Sequence, residues 1–271
     1  MKADLHIHSI FSDGEDTPEQ IVQKAKANGL QLISLTDHDT IDGQEIIKKA
    51  AEANGIEFFY GIELSTFSCA EIHILGYNMD IKNRSFLKLL KIEKQKRIER
   101  LTKMIKRLNL LGIDITENEV YAVADNTSSI GRLHLAKVLT AKNITKSVAD
   151  AFDRLLGFGK AVYVPTDRLK PESAIKMINK AGGKAVLAHP MQISINKQNL
   201  IPLITQLKSY GICGIEAHYY AHTKFEKDFL TQLARKLNLL VTCGSDYHGK
   251  QRNSDITAFE LEKEDYIRLK Q

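Results

Sequence analysis

Six histidines and three acidic residues recur at strand-end positions along this chain: His6, His8, Asp13, His38, Glu63, His73, His189, Asp246 and His248. Imidazole and carboxylate together are ligands for divalent cations such as Zn, Mn or Fe. Residues two apart on a strand point to one face. His6 and His8 can therefore offer both rings to one ion, and Asp246 and His248 repeat that spacing. Singly, each residue has an ordinary explanation. A strand-end histidine is commonly a satisfied core or surface group, Asp13-Gly14 reads as a turn, and Glu63 reads as a cap. Jointly they do not, because nine such groups buried at one mouth are costly unless cations offset their desolvation and repulsion. The set has the capacity for two or three divalent ions.

The elements that must position these residues follow a repeating pattern. Ala3 to His8 reads as a strand that breaks at Ser12-Asp13-Gly14. Thr17, Pro18 and Gln20 form a capping box with proline at the first helical position, Ile21, Val22 and Ala25 supply an apolar stripe, and Gly29 closes that helix. Leu32 to Leu35 is a second strand, leading to Thr36-Asp37-His38-Asp39. A helix over 42–53 precedes a strand over 56–60, which ends at Gly61-Ile62-Glu63, and 70–77 is a fourth strand. Later strands are predicted at 184–188, 213–216 and 239–243, separated by helices at 171–180, 200–210 and 225–237. They end at His189-Pro190, near Glu216, and at Gly244-Ser245-Asp246-Tyr247-His248. About seven strands alternating with helices predict an α/β class and a mostly parallel sheet: a distorted seven-stranded (β/α)7 TIM-like barrel, one strand short of the eight-stranded form. Strand ends from different units converge on one face of such a barrel, so sequence distance does not separate the nine residues.

Residues 80–163 break the rhythm. They read as a helical insertion, with barrel residues at 1–79 and 164–271. A long helix over 92–111 is dense in Lys and Arg and carries Ile92, Leu101, Ile105 and Leu108 on its apolar side. That basic face is read as solvated and partly balanced by Glu93 and Glu99, with a strip for RNA as the other reading. No interleaved aromatics mark a stacking platform.

The 271 residues are 43% hydrophobic with a formal net charge of +5. That is enough for a barrel-sized core, and the mild charge is compatible with a phosphate-bearing substrate without arguing for nucleic acid. No apolar run approaches the ~20 residues of a membrane span, and no apolar signal region opens the chain. The three cysteines, Cys69, Cys213 and Cys243, suit small buried side chains in a reducing cytoplasm rather than a disulfide framework. The location expected is cytoplasmic, with no obligatory protein partner.

The segments Asp4-Leu5-His6-Ile7-His8-Ser9, Ser12-Asp13-Gly14, Thr36-Asp37-His38-Asp39, Gly61-Ile62-Glu63, His73-Ile74-Leu75-Gly76-Tyr77, Ala188-His189-Pro190 and Gly244-Ser245-Asp246-Tyr247-His248 resemble, in order and separation, the motifs of the PHP (polymerase and histidinol phosphatase) family. The resemblance implies a distorted seven-stranded barrel and a trinuclear site with these nine ligands, Glu63 bridging ions. It implies one ion on His6 and His8, a second on His73 and His189, and a third on Asp13, His38 and His248, with Glu63 and Asp246 linking them. Gly131-Arg132-Leu133-His134 in the insertion is similar to a subgroup of small phosphoesterases acting on nucleoside 3′,5′-bisphosphates or short RNA ends. There the insertion caps the substrate, and Arg132 and His134 would contact its phosphate. The stretch Ile215-Glu216-Ala217-His218-Tyr219 departs from that subgroup, because His218 intervenes after the glutamate, and no role is carried over to Glu216, His218 or His222.

The activity the resemblance implies is hydrolysis of a phosphate ester through a hydroxide bridging two ions, on a nucleotide or short RNA 5′ end. Arg132 would clamp the phosphoryl oxygens and His134 or a metal-bound water would protonate the leaving oxygen. Other readings stand beside it. Histidinol phosphate or another small metabolite is an alternative substrate. A metal barrel with His-x-His on its first strand can also act on amides or deaminate bases. A domain of this family can also be non-catalytic, although such domains have lost ligands.

Overall fold

The structure is a computed structural model, described here for residues 1–124, 130–165, 168–193, 195–249 and 255–271. The chain divides into two compact units: Met1–Leu89 with Arg168–Gln271, and Leu90–Asp167.

The first unit holds β1 (Lys2–Ile7), α1 (Pro18–Ala27), β2 (Leu32–Leu35), α2 (Gln44–Ala53), β3 (Glu57–Phe67) and β4 (Glu71–Tyr77). α3 (Arg84–Leu110) leaves it, and the second unit adds α4 (Glu117–Ala124), α5 (Arg132–Ala141), and α6 (Val148–Ala151) with a π-helical turn at Phe152–Leu156. The chain returns to the first unit as α7 (Pro171–Lys180), β5 (Lys184–Leu187), α8 (Leu200–Ser209), β6 (Gly214–Tyr219), α9 (Lys224–Lys236), β7 (Leu240–Gly244), β8 (Phe259–Glu260) and α10 (Lys263–Lys270).

The strand order is β7-β6-β5-β4-β3-β2-β1-β8. β1, β2 and β3 pair in parallel, as do β5, β6 and β7. β4 is antiparallel to both its neighbours, so the sheet is two parallel halves joined by one reversed strand. The seven-stranded circuit closes where Ile7 bridges Tyr247, with the His8 N–H donating to the Tyr247 carbonyl at 2.8 Å. The eighth strand is a two-residue addition antiparallel to the start of β1. One buried cluster draws Leu5, Leu32, Phe59, Leu75, Val186 and Leu240 from six different strands and fills the barrel.

Local signals explain the first turns. Thr17 caps α1 through the capping box with Gln20, Pro18 opens the helix, and Gly29 follows its end at φ 69°. β3 runs to Phe67, so Glu63 lies inside a strand and does not end one. The reason is a tight hairpin into β4, with the Ser68 N–H donating to the Ala70 carbonyl, which lets both strands extend past the barrel wall. Cys69 sits on that hairpin and is exposed, against the expectation of a buried thiol, while Cys213 is half-buried and Cys243 buried.

The second unit has its own core, in which Leu101, Met104, Ile105 and Leu108 of α3 meet Val120, Leu135, Leu139 and Leu156. Ile92 does not belong to that stripe and is 44% exposed. At about 100° per residue it stands half a turn from Leu101.

Around the far end of the barrel wall, Arg235 of α9 donates from both terminal nitrogens to the Asp265 carboxylate of α10 at 2.7 and 2.6 Å, and Asp265 also accepts the Val241 N–H of β7. Asp265 is buried and Arg235 about one-third exposed. Arg235→Ala leaves a buried carboxylate without its cation and is expected to cost about 2–4 kcal/mol. Urea unfolding should show this midpoint shift with cation content unchanged.

Candidate metal centre

β1 delivers His6 and then His8, and the turn beyond it delivers Asp13. His38 follows β2, Glu63 lies in β3, His73 in the first half of β4, His189 just after β5, and Asp246 and His248 after β7. Because β4 runs antiparallel to β3 and β5, its first half lies beside their C-terminal ends. All nine residues therefore reach one mouth of the barrel.

Glu63 is the hub. It is 1% exposed, and its two oxygens face different histidines. Oε2 lies 3.3 Å from His6 Nε2, 3.2 Å from His8 Nε2 and 3.0 Å from His38 Nδ1. Oε1 lies 2.9 Å from His73 Nδ1 and 3.1 Å from His189 Nε2. Asp246 Oδ1 stands 3.4 Å from His6 Nε2 and 3.2 Å from His8 Nε2. Asp13 Oδ1 is 3.2 Å from His248 Nε2, and the His8 and His248 rings stack at 4.1 Å. Among the described residues, three groups have ligand atoms close enough for one ion each: His8, Asp13, His38 and His248; His6, His8, Glu63 and Asp246; and His38, Glu63 and His73. His8, His38 and Glu63 each belong to two groups, so the groups interlock more than the expected assignment of His6 and His8, His73 and His189, and Asp13, His38 and His248 to separate ions. His189 joins through Glu63 Oε1 rather than through one of these groups.

The residues fit cations for a structural reason. His6 Nε2, His8 Nε2, His38 Nδ1, His73 Nε2 and His189 Nδ1 are buried without a hydrogen-bond partner of suitable geometry. Leaving such atoms unsatisfied is costly, and a divalent cation satisfies several at once.

The electrostatics agree. Burial alone would raise the carboxyls of Asp13, Glu63 and Asp246. The facing histidines outweigh it and hold all three well below the usual carboxylate range. Burial opposes charge on His8 and His73 as well, yet Asp246 and Glu63 push His8 up to about 9 and Glu63 pushes His73 up to about 10. At His38 burial prevails and lowers it to about 3. The anionic field that favours protons on His8 and His73 favours a divalent cation once those protons leave.

Three non-glycine residues at these turns adopt left-handed backbone: Asp39 (φ 54°), His189 (φ 26°) and Asp246 (φ 50°). Such conformations persist where the surroundings over-determine them. Asp37, 1% exposed, braces a different turn: it accepts the Ser9 N–H at 2.7 Å, the Ser9 hydroxyl at 2.6 Å and the Ser12 hydroxyl at 2.5 Å. It thereby shapes the turn that carries His8 and Asp13. Asp37→Ala is expected to cost about 2–4 kcal/mol and to weaken cation binding, read by thermal melting and by ion content after dialysis.

Sequence reasoning left three residues of β6 and its following turn without roles. Glu216 is fully buried against His6 and His189. His218 points elsewhere, because a register shift between Glu216 and His218 turns its ring toward Thr231 of α9. His222 is buried, its Nδ1 3.0 Å from the Ala217 carbonyl and its ring 5.0 Å from that of Tyr219. Tyr219 donates its hydroxyl to Asp246 Oδ2 at 3.1 Å. The available signal was a glutamate inside the apolar run Ile215-Glu216-Ala217, since a buried charge needs a partner. In the helical unit, the Arg132 guanidinium lies 5.6 Å from the Phe152 ring centre. His134 is buried, and its Nδ1 accepts the Gly131 N–H at 3.2 Å.

A parallel-type barrel with histidines and carboxylates converging at its strand ends defines a metal-dependent hydrolase. The chain belongs to the PHP family, whose PHP domain matches residues 4–251, and it is a metal-dependent phosphoesterase. A 5′-3′ exoribonuclease from Haemophilus influenzae is 34% identical over 91% of this chain and 90% of its own length. A 3′,5′-nucleoside bisphosphate phosphatase from Chromobacterium violaceum is 32% identical over 90% of this chain and 86% of its own. A solved structure from Bifidobacterium adolescentis, assigned as a metal-dependent phosphoesterase, superposes with a TM-score of 0.87 at 26% identity, covering 98% of this chain and 94% of that one. The family and the activities named for these two relatives are those of ester hydrolysis at phosphorus. No helix among the described residues is long and apolar enough to cross a membrane.

Proposed function

We propose that this phosphoesterase acts on nucleotides, cleaving phosphate from a nucleoside 3′,5′-bisphosphate or a nucleotide from the 5′ end of short RNA. The observation that carries the metal chemistry is the ring of buried, unsatisfied histidine nitrogens around Glu63. The substrate class is supported by the activities named for the two relatives that match about nine-tenths of this chain. His6, His8, Asp13, His38, Glu63, His73, His189, Asp246 and His248 are proposed as the ligands of three ions, of Mn, Fe or Zn type. When bound, such ions lower the pKa of a water to near neutrality and neutralise phosphoryl oxygens.

The chain's own residues do the remainder. Glu63, by facing five histidines, keeps the ligand set in one arrangement. Arg132 offers a planar, permanently charged fork suited to two phosphoryl oxygens. His134 uses Nδ1 as an acceptor from Gly131, so its neutral form carries the proton on Nε2 and donates from there, the role needed at a leaving oxygen. The helical unit is proposed as the substrate cap and the location as cytoplasmic, in keeping with three free cysteines.

The test is a panel with cations restored after chelation: adenosine 3′,5′-bisphosphate, 5′-phosphorylated short RNA, mononucleotides, sugar phosphates and histidinol phosphate. The expected result is cation-dependent turnover fastest on the bisphosphate or the RNA. Fastest turnover of histidinol phosphate contradicts the proposed substrate class.

A further inference from the structure

Glu216 is a carboxylate wholly removed from solvent on an apolar strand, and it lies outside the nine-residue set. Its two oxygens nevertheless reach two members of that set. Oε1 lies 2.9 Å from His6 Nδ1, and Oε2 accepts the backbone N–H of His189 at 2.7 Å. One carboxylate thus ties the end of β1 to the strained turn after β5. Gly244 of β7 makes the space for it. A Cβ at position 244 would meet Cβ of His6 at 2.2 Å and Oε1 of Glu216 at 2.4 Å.

On the metal-centre reading above, we propose that Glu216 is a positioning residue that holds the His6 proton on Nδ1 and so presents Nε2 to a divalent cation. A carboxylate can only accept hydrogen bonds, so Nδ1 of His6 must donate. A neutral imidazole has a single N–H, which leaves a lone pair on Nε2. That nitrogen is the atom 3.3 Å from Glu63 Oε2 and 3.4 Å from Asp246 Oδ1. The second oxygen fixes the backbone of His189, where φ is 26°.

Glutamine at this position nearly keeps the shape but has only one acceptor oxygen. The His189 N–H cannot be reversed, so it takes that oxygen. The amide NH2 then faces His6 Nδ1, which must become an acceptor, and the proton moves to Nε2, where it blocks coordination. Zinc titration of Glu216→Gln against the wild-type protein is expected to show binding about 10- to 100-fold weaker, with kcat reduced and KM for the substrate little changed. Long-range 15N–1H spectra of the zinc-loaded wild-type protein, which need no folded variant, are expected to show His6 protonated at Nδ1 and coordinated through Nε2. Wild-type zinc affinity in Glu216→Gln, or His6 coordinated through Nδ1 in the wild-type protein, overturns the proposal. A wild-type protein that takes up no zinc, manganese or iron contradicts the metal-centre reading itself, a separate outcome.

Discussion

Glu63→Gln is expected to lower kcat/KM by about 10³-fold and to empty the centre of most of its cations. The loss of an outer partner of a metal ligand already costs about 10–100-fold in affinity or activity. Glu63 is placed more centrally than that, with three histidine nitrogens about Oε2 and two about Oε1. Glutamine preserves the volume, so the fold should persist. It removes the negative charge, however, and turns one of the two oxygens into an NH2 group facing histidines that need an anion or a cation between them. Residues that act as a unit fail together, so the loss should resemble removal of the whole centre rather than of one ligand. Elemental analysis and phosphate release, measured on the same preparation, check it. A variant with a full complement of ions would remove Glu63 from the centre.

Arg132→Ala is expected to act at the opposite end of the chemistry. It should lower kcat/KM by about 10²-fold while leaving the ions per chain unchanged, because in its proposed role Arg132 contacts the substrate phosphate and is no ligand. Arg132→Lys should recover only part of the activity, since a lysine keeps the charge without the planar fork. The residue opens α5, with its guanidinium 5.6 Å from the Phe152 ring centre, and Leu135 and Leu139 of the same helix lie in the unit's core. Melting curves of both variants separate a lost phosphate contact from lost folding. Steady-state kinetics on a nucleoside bisphosphate decide the matter, and unchanged kinetics would leave Arg132 an ordinary helix residue.

Elements whose causes are local were legible from the sequence. Thr17, Pro18 and Gln20 announce α1, and Leu32 to Leu35 stands between clear breaks. The nine residues stand out in the sequence because each lies on a strand or in the turn that follows one, and parallel α/β geometry gathers such positions regardless of distance along the chain. What stayed hidden depends on distant partners. The reversal of β4 follows from a hairpin whose two strands outrun the barrel, and a propensity pattern carries no direction. β8 is two residues long and exists only because β1 offers an edge. Ile92 looked like part of a stripe until the phase of α3 was fixed by Leu101 and Leu108. The role of Glu216 depends on His6, 210 residues away, and Asp37 on serines 25 and 28 residues away. A sequence shows that a buried acid needs partners without showing which they are.

The most direct measurement is the number of divalent ions per chain in protein purified without chelator, taken by elemental analysis against amino-acid quantification. Three groups of proposed ligands, with His8, His38 and Glu63 each shared between two of them, lead to an expected value close to three ions per chain and to their loss together with activity on chelation. A folded protein that holds well under one ion per chain, and hydrolyses phosphate esters equally well after chelation, would contradict the metal-centre account.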